Sequence, residues 1–125
     1  MLIKPKSNKR INPIAIVNIL CTSNNMLINV SNLDNETIYF SSNGFLGIKG
    51  SRRSTSYAGQ ANANIIGKKL YLLGVRYLYI KIKGFGHGRY SSLKGFHLSG
   101  IKILSILDVT PIPFNGCKPP KRRRM

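Results

Sequence analysis

Acidic residues are scarce in this sequence, which holds Asp34, Glu36 and Asp108 against 20 Lys and Arg. The formal net charge is +17 at pH 7, and the sequence pI is about 10.5. A charge of that size repels itself in a compact monomer and favours a protein that binds a nucleic acid or an acidic membrane surface. Three acids also leave too few carboxylates for a paired acid–base site or a magnesium-dependent nuclease centre. We therefore expect no enzyme.

Long apolar runs and cysteines are also scarce. No apolar run approaches the ~20 residues that a membrane span needs, so we expect no membrane partner. Cys21 and Cys117 are too far apart for a zinc knuckle, and two isolated cysteines favour a reducing compartment. His87 and His97 have no cysteine at metal-ligand spacing, and we expect neither a metal nor another cofactor. The N-terminus lacks the apolar segment of a secretory signal.

The C-terminal segment, DVTPIPFNGCKPPKRRRM from Asp108 to Met125, contains four prolines. Proline fixes φ and removes a backbone donor, so this segment cannot continue a helix or enter the middle of a sheet. Residues 109–125 are therefore predicted to form an extended arm that binds a polyanion. Its five cations are Lys118, Lys121, Arg122, Arg123 and Arg124.

Residues 1–13, MLIKPKSNKRINP, carry four cations and no acid. The same charge argument predicts a second basic arm. A cleaved transit peptide is the alternative, although Pro5 and Pro13 interrupt the amphipathic helix that such a peptide uses.

Residues 14–108 are predicted to form one α/β domain with the element order βββαβαβ. The hydrophobic pattern predicts strands at 14–20, 26–31, 37–41, 75–83 and 101–108, with helices at 55–73 and 91–99. Short turns join the first three strands and helices join the later ones, which indicates a mixed five-stranded sheet. Thr55 is expected to cap the long helix, and Gly74 to end it. The buried helix residues are predicted to be Ala58, Ala61, Ile65, Ile66, Leu70 and Leu73, then Leu93, Phe96 and His97.

Two glycine-rich basic loops precede the two predicted helices. The first, SNGFLGIKGSRRS at 42–54, combines Lys49, Arg52 and Arg53 with glycines that allow a partner to approach the backbone. The amide groups at the start of the following helix favour a phosphate there. The alternative is a flexible, solvated loop.

The second loop, KGFGHGR at 83–89, partly matches a dinucleotide-binding motif. Gly84 and Gly86 have the spacing of its first two glycines, and Asp108 follows about twenty residues later. Arg89 occupies the third glycine position, however, and an antiparallel meander precedes the only such unit. We therefore interpret the loop as a corner that binds nucleic-acid phosphates.

Aromatic residues within these basic segments are candidates for stacking on unpaired bases: Phe45, Tyr57, Phe85 and Phe114. We expect Tyr57 to lie in the core instead.

Four segments carry a resemblance to a known family: TSNN at 22–25, SSNGFLGIKGSRRSTSYAGQ at 41–60, KGFGHGR at 83–89 and DVTPIPFNGCKPPKRRR at 108–124. From about Ile14 onward, the chain resembles the universal small-subunit ribosomal protein S-eleven. This resemblance implies a ribonuclease-H-like fold without nuclease activity. It also implies a structural constituent of the small-subunit platform, bound to the central domain of the rRNA near the mRNA exit and the E site. The implied neighbours are ribosomal proteins of the S-eighteen, S-six and S-twenty-one types.

The resemblance also indicates which residues bind RNA, and this chain departs from the usual family pattern near some of them. Phe85 stands where proline is usual, Tyr90 where an acid is usual, and Phe114 where histidine is usual. Ser56 replaces a usual proline, and Gly59 a usual alanine. The predicted RNA-binding residues are Asn24, Asn25, Lys49, Ser51, Arg52, Arg53, Ser54, Lys83, Gly84, Gly86, His87, Gly88, Arg89, Asn115, Gly116, Lys118, Lys121, Arg122, Arg123 and Arg124.

The compartment is suggested by residue usage. The chain is rich in Ile, Asn, Lys and Tyr and poor in Ala, a bias that A+T-rich codons produce. Together with the departures from the family pattern, this bias favours a mitochondrial ribosome, with a plastid or a bacterial cytoplasm as alternatives. A free-standing RNA-binding chaperone is the alternative function.

Asn115 precedes Gly116 within the proline-bounded arm. Glycine leaves the following amide unhindered, so an Asn-Gly pair forms a succinimide readily. We expect partial isoaspartate at Asn115, unless bound RNA restrains the arm.

Overall fold

The computed structural model describes residues 12–125, so the predicted basic arm at 1–13 lies almost entirely outside the described residues. The predicted α/β fold with a mixed five-stranded sheet is confirmed, in the predicted element order. The ribonuclease-H-like classification stays a prediction. The elements are β1 Ile14–Cys21, β2 Met26–Ser31, β3 Thr37–Ser42, α1 Ser56–Leu72, β4 Tyr77–Gly84, α2 Gly88–Leu98 and β5 Lys102–Asp108.

The strands are arranged in the order β3-β2-β1-β4-β5. The meander β1-β2-β3 is antiparallel, whereas β1, β4 and β5 run parallel to one another. The chain therefore leaves β1, β3, β4 and β5 at the same end of the sheet, which we call the carboxyl edge. The opposite end is the amino edge.

Both helices pack on one face of the sheet. Val17, Ile19, Ile28 and Ile80 point toward them and are fully buried or nearly so, together with Phe96 of α2. The alternate side chains of the same strands point to the opposite face, which no helix of residues 12–125 covers. We call this the open face; it carries Ile16, Asn18, Leu20, Leu27, Asn29, Phe40, Tyr79, Lys81 and Lys83.

Helix α1, predicted at 55–73, runs from Ser56 to Leu72 and has the predicted residues at its two ends. The Thr55 hydroxyl accepts a hydrogen bond from Ala58 N in the first turn, at 3.3 Å. After the helix, Gly74 adopts φ +99°, a conformation that favours glycine. The buried stripe differs from the prediction at Ile65, which is 38% exposed, whereas Asn62 is fully buried.

The two helices approach closely because small residues lie between them. A Cβ on Gly95 would come within 2.5 Å of Gln60 O, and one on Gly59 within 3.0 Å of Gly88 Cα. This packing positions the start of α2, and with it the second basic loop, beside the start of α1.

Three predictions about the later elements were wrong. Strand β4 begins at Tyr77 instead of Val75, because Val75 N still donates to Leu70 O at the helix end. Helix α2 begins at Gly88 instead of Ser91, because His87 is already in the right-handed helical conformation. His97 is exposed, since the buried stripe of α2 follows Ser92, Gly95 and Phe96 and leaves His97 outside it.

Candidate nucleic-acid interface

Four segments that are distant in sequence meet at the carboxyl edge. They are the turn after β1, the long basic loop after β3, the glycine-rich loop after β4 and the segment that follows β5. The parallel arrangement of β1, β4 and β5 brings their ends together. Most of the predicted RNA-binding residues therefore lie on or directly beside one edge of the sheet.

The long basic loop is ordered by a buried polar network. Its backbone forms two short 3₁₀ helices, Gly44–Leu46 and Gly50–Ser54. Asn43 Nδ2 donates to Arg53 O at 2.8 Å, and Asn62 Nδ2 donates to Asn43 Oδ1 at 3.2 Å. Ser41 Oγ in turn donates to Asn62 Oδ1 at 2.9 Å. This network fixes the Arg52–Arg53 segment to helix α1, which disfavours the flexible-loop alternative.

We expect Asn62→Ala to reduce the free energy of unfolding by about 2–4 kcal/mol, because Ser41 and Asn43 would each keep a buried polar group without its partner. Urea unfolding measures the loss. Asn64→Ala is a matched control in the same helix, since Asn64 Oδ1 is buried without a hydrogen bond from any residue of 12–125. The control substitution should reduce the free energy of unfolding by less than about 1 kcal/mol. Equal losses would show that the network does not hold the loop.

The glycine-rich loop after β4 lies directly on the turn after β1. A Cβ on Gly84 would come within 2.3 Å of Cys21 O, and one on Gly86 within 2.6 Å of Thr22 O. Ser56 Oγ donates to His87 O at 3.1 Å, which joins this loop to the start of α1. The glycines therefore serve close contact within the protein, in addition to any contact with a partner.

In the turn after β1, the two predicted asparagines have different surroundings. Asn25 Oδ1 accepts from Met26 N at 2.9 Å, so its side chain supports the turn. Asn24 is exposed and free to reach a partner.

Arg89 is engaged within the protein. Its Nη1 donates to Gly84 O at 2.8 Å, and its Nη2 forms an ion pair with Asp108 Oδ2. The Arg89 side chain is only 17% exposed, compared with 54% for Asp108. The arrangement ties the loop after β4 to the end of β5, and the predicted contact of Arg89 with RNA stays a prediction.

Asp108 also organises the first residues after β5. Thr110 Oγ1 donates to Asp108 Oδ1 at 2.7 Å, and Thr110 N donates to the same oxygen at 3.0 Å. These hydrogen bonds, together with Arg89, lower the pKa of Asp108 to about 2. Thr110 Oγ1 also accepts from Gly84 N at 3.1 Å, and Val109 N donates to Ile82 O at 2.8 Å. The C-terminal segment thus starts at the carboxyl edge in a defined position.

This geometry predicts a pH dependence. Because the pKa of Asp108 is lowered from its ordinary 3.8, the contact stabilises the fold above that value and is lost as pH falls from about 3.8 to about 2. The NMR titration of the Asp108 carboxyl carbon should have its midpoint near 2. In Thr110→Val the midpoint should rise toward 3.8, because the largest cause of the shift is the Thr110 hydroxyl. An unchanged midpoint in that variant would contradict the assignment.

The remaining acids lie away from the cations of the carboxyl edge. Asp34 and Glu36 belong to the turn between β2 and β3, at the amino edge. Lys49, Arg52, Lys83 and His87 are exposed at the carboxyl edge, and residues 111–125 are exposed without regular secondary structure. With Asp108 already paired to Arg89, this edge presents a positive surface.

Several exposed aromatic side chains accompany these cations. Phe45 and Phe85 are exposed as expected for stacking candidates, and Phe114 is fully exposed. The prediction that Tyr57 lies in the core was wrong: it is 77% exposed, because the buried stripe of α1 begins one residue later. Sequence reasoning did not propose Tyr90, which is equally exposed at the start of α2. Its place in the first turn after the glycine-rich loop was the signal that could have identified it.

Residues 12–125 contain neither a metal-ligating cluster nor a membrane-spanning helix. No three His, Cys, Asp or Glu side chains in this range are grouped closely enough to hold a metal ion. No helix in this range is both long and apolar enough to cross a membrane.

Comparison with known proteins gives matches over nearly the whole chain. The family model described as "Ribosomal protein S11" matches residues 15–124. The "Small ribosomal subunit protein uS11m" of Marchantia polymorpha is 46% identical over 104 residues, 83% of each chain. The "Small ribosomal subunit protein uS11" of Aquifex aeolicus is 45% identical over 122 residues, 98% of each chain. The uS11m of Prototheca wickerhamii is 46% identical over 110 residues, 88% of this chain and 86% of its own. The chain therefore belongs to the ribosomal protein S11 family, whose members are structural components of the small ribosomal subunit.

Proposed function

We propose that this small-subunit component binds rRNA through its carboxyl edge. The observation that carries the proposal is the meeting of four separate segments at one edge, where Lys49, Arg52 and Lys83 are exposed and Asp108 is paired with Arg89. Lys and Arg at such a surface neutralise phosphates and release counterions. The proposal assigns the predicted RNA-binding residues, including Asn24, Lys49, Arg52 and Lys83, to this surface.

Shape would contribute to binding along with charge. Folded RNA is recognised through its backbone and through unpaired bases, which stack on aromatic side chains. Tyr57, Phe85 and Tyr90 stand exposed beside exposed cations of the carboxyl edge. We propose that they contact rRNA bases while Lys and Arg contact phosphates.

The finer placement is also part of the proposal. We propose that the protein lies on the platform, bound to the central domain of the rRNA near the mRNA exit and the E site. Its neighbours there would be proteins of the S-eighteen, S-six and S-twenty-one types. Residues 1–13 and 109–125 would act as basic arms around the domain at 14–108, and the chain would have no catalytic role.

The proposed compartment is the mitochondrion, with a plastid or bacterial ribosome as the alternatives. Two of the relatives carry the organellar designation uS11m, which supports an organelle, and the residue bias of the sequence supports it further. Subcellular fractionation with an antibody against the chain would distinguish these compartments.

Sedimentation tests the proposed function against the chaperone alternative. A ribosomal protein bound to rRNA should travel with the small subunit through a moderate salt wash. A free-standing chaperone would be released from the subunit by the same wash, and that result would overturn the proposal.

Partial isoaspartate at Asn115 is a separate prediction. Asn115 has φ +58° and lies in an exposed segment without regular structure, so its side chain is not held by a helix or strand. An isoaspartyl methyltransferase assay on purified subunits, followed by peptide mapping, should show methyl acceptance at this peptide. Gly116→Ala should strongly reduce it, because a Cβ hinders the attacking amide. Absence of methyl acceptance in the unaltered protein would rule the modification out.

A further inference from the structure

We infer that the open face of the sheet is a second RNA-binding surface, which takes unpaired nucleotides. The inference rests on the proposed function, because it requires the chain to contact rRNA, but it concerns a sheet face to which, of the basic loops, only Lys83 contributes. It starts from the side chains that the strand register places next to one another across this face.

One row of neighbouring residues crosses all five strands. Asn29 is the partner of Phe40 on one side and of Asn18 on the other. Asn18 is in turn the partner of Lys81, and Lys81 of Leu107. In order across the sheet, the row therefore contains an aromatic ring, two side-chain amides, a lysine and an aliphatic side chain. These side chains offer a stacking surface, donors and acceptors for base edges, and a charge for a phosphate.

The neighbouring row repeats part of this pattern. Tyr79 is the partner of Ile16 and of Ser105. Phe40 is 47% exposed and Tyr79 37% exposed, so both rings are accessible to a ligand. Stacking on such rings tolerates any base, because every base has a π-face.

A groove of about 250 Å³ runs beside the first row. Its floor is mostly apolar, and its polar groups are the two asparagine amides and the two lysines. Asn29 Oδ1 is buried without a hydrogen-bond partner among residues 12–125, so this amide beside the groove has an acceptor that the protein leaves unused. The lining residues are Asn18, Ile19, Leu20, Leu27, Asn29, Phe40, Lys81, Lys83 and Val109.

Charge decides the type of occupant. The charged residues in these rows and in the groove are Lys81 and Lys83, and within residues 12–125 no acid lines the groove. An anionic partner is therefore favoured. An acidic protein segment would pair with the lysines only. An RNA strand would also stack a base on the aromatic ring and form hydrogen bonds between base edges and the asparagine amides. Lys83 and Val109 also lie at the carboxyl edge, so one RNA strand can pass from that edge onto the open face.

The test uses the full chain and a central-domain fragment of small-subunit rRNA. Phe40→Ala, Tyr79→Ala and Lys81→Gln should each weaken binding, by roughly tenfold for either aromatic variant. Matched controls on helix α1 are Tyr71→Ala and Lys68→Gln, both at exposed positions off the sheet, and these should bind as the unaltered chain does. Urea unfolding checks that each variant is folded.

Ultraviolet cross-linking of intact small subunits gives a second measurement that does not depend on any variant. Peptides that contain Phe40 or Tyr79 should carry cross-linked nucleotides. The inference is overturned if the open-face variants bind rRNA normally while Arg52→Gln weakens binding, and in that case the proposed function still holds. It is also overturned if lysine-reactive reagents join Lys81 to another ribosomal protein and no nucleotide is found on this face.

Discussion

Replacing the five tail cations with glutamine should weaken binding to small-subunit rRNA by on the order of 10²–10³-fold at about 0.1 M salt. Each phosphate contact made by Lys or Arg releases counterions. With single-stranded nucleic acid, each contact lowers the log of the binding constant by about 0.7 for every log unit of salt. With five contacts, the log of the binding constant should fall by roughly 3.5 for each log unit of salt concentration. The variant should lose most of this salt dependence. The residues are Lys118, Lys121, Arg122, Arg123 and Arg124.

The fold should not change in this variant, because residues 111–125 are exposed and contribute nothing to the core. Circular dichroism and urea unfolding check this point, and filter binding at several salt concentrations gives affinity and slope together. Lys68→Gln with Lys102→Gln is a control that removes exposed cations outside the carboxyl edge. Deletion of Lys118–Met125 should behave like the glutamine variant. If the truncated chain assembled into small subunits normally, the tail would not be a principal RNA contact.

The local features of the fold could be predicted from the sequence because neighbouring residues determine them. Thr55 caps α1 through its own hydroxyl, and Gly74 ends it because its positive φ favours glycine. The β-branched runs and short turns likewise indicated the meander at 14–42.

Burial on the helices was predicted less well, because it depends on which residues face the sheet. Tyr57 and His97 each lie one position from a buried residue, Ala58 and Phe96, and a shift of one residue turns a side chain about 100° around the helix. Asn62 illustrates the converse. A polar residue can be fully buried when its partners, Ser41 and Asn43, come from a distant loop, and spacing alone does not reveal such partners.

At the candidate site, too, the sequence did not reveal which distant residues contact one another. Each basic loop could be recognised from its own glycines and cations, but the engagement of Arg89 by Asp108 depends on β4 and β5 being parallel neighbours. The open face depends on both helices packing on the same side of the sheet. Sequence patterns identified the chemical groups, and the tertiary arrangement determined which of them are available to a partner.

Gly84→Ala should destabilise the fold by about 3 kcal/mol or more. Gly84 has φ +92°, and a Cβ there would lie 2.3 Å from Cys21 O. Cys21 O is a backbone atom, so it cannot move aside as the end of a flexible side chain would. Strands β1 and β4 would therefore have to separate at their carboxyl ends. Gly74→Ala is the matched control: its φ is +99°, but nothing lies within 4 Å of the added Cβ. The control should lose only the stability that a β-carbon costs at positive φ, about 1–2 kcal/mol.

Urea unfolding of the two variants separates the cost of positive φ from the cost of close approach. The Gly84 variant should also bind rRNA more weakly than the Gly74 variant under conditions where both are folded, because the glycine-rich loop would no longer lie on the turn at Thr22. Equal losses of stability in the two variants would mean that the close contact between β4 and Cys21 does not constrain the fold. Equal rRNA binding would mean that the relative position of the two loops does not matter for recognition.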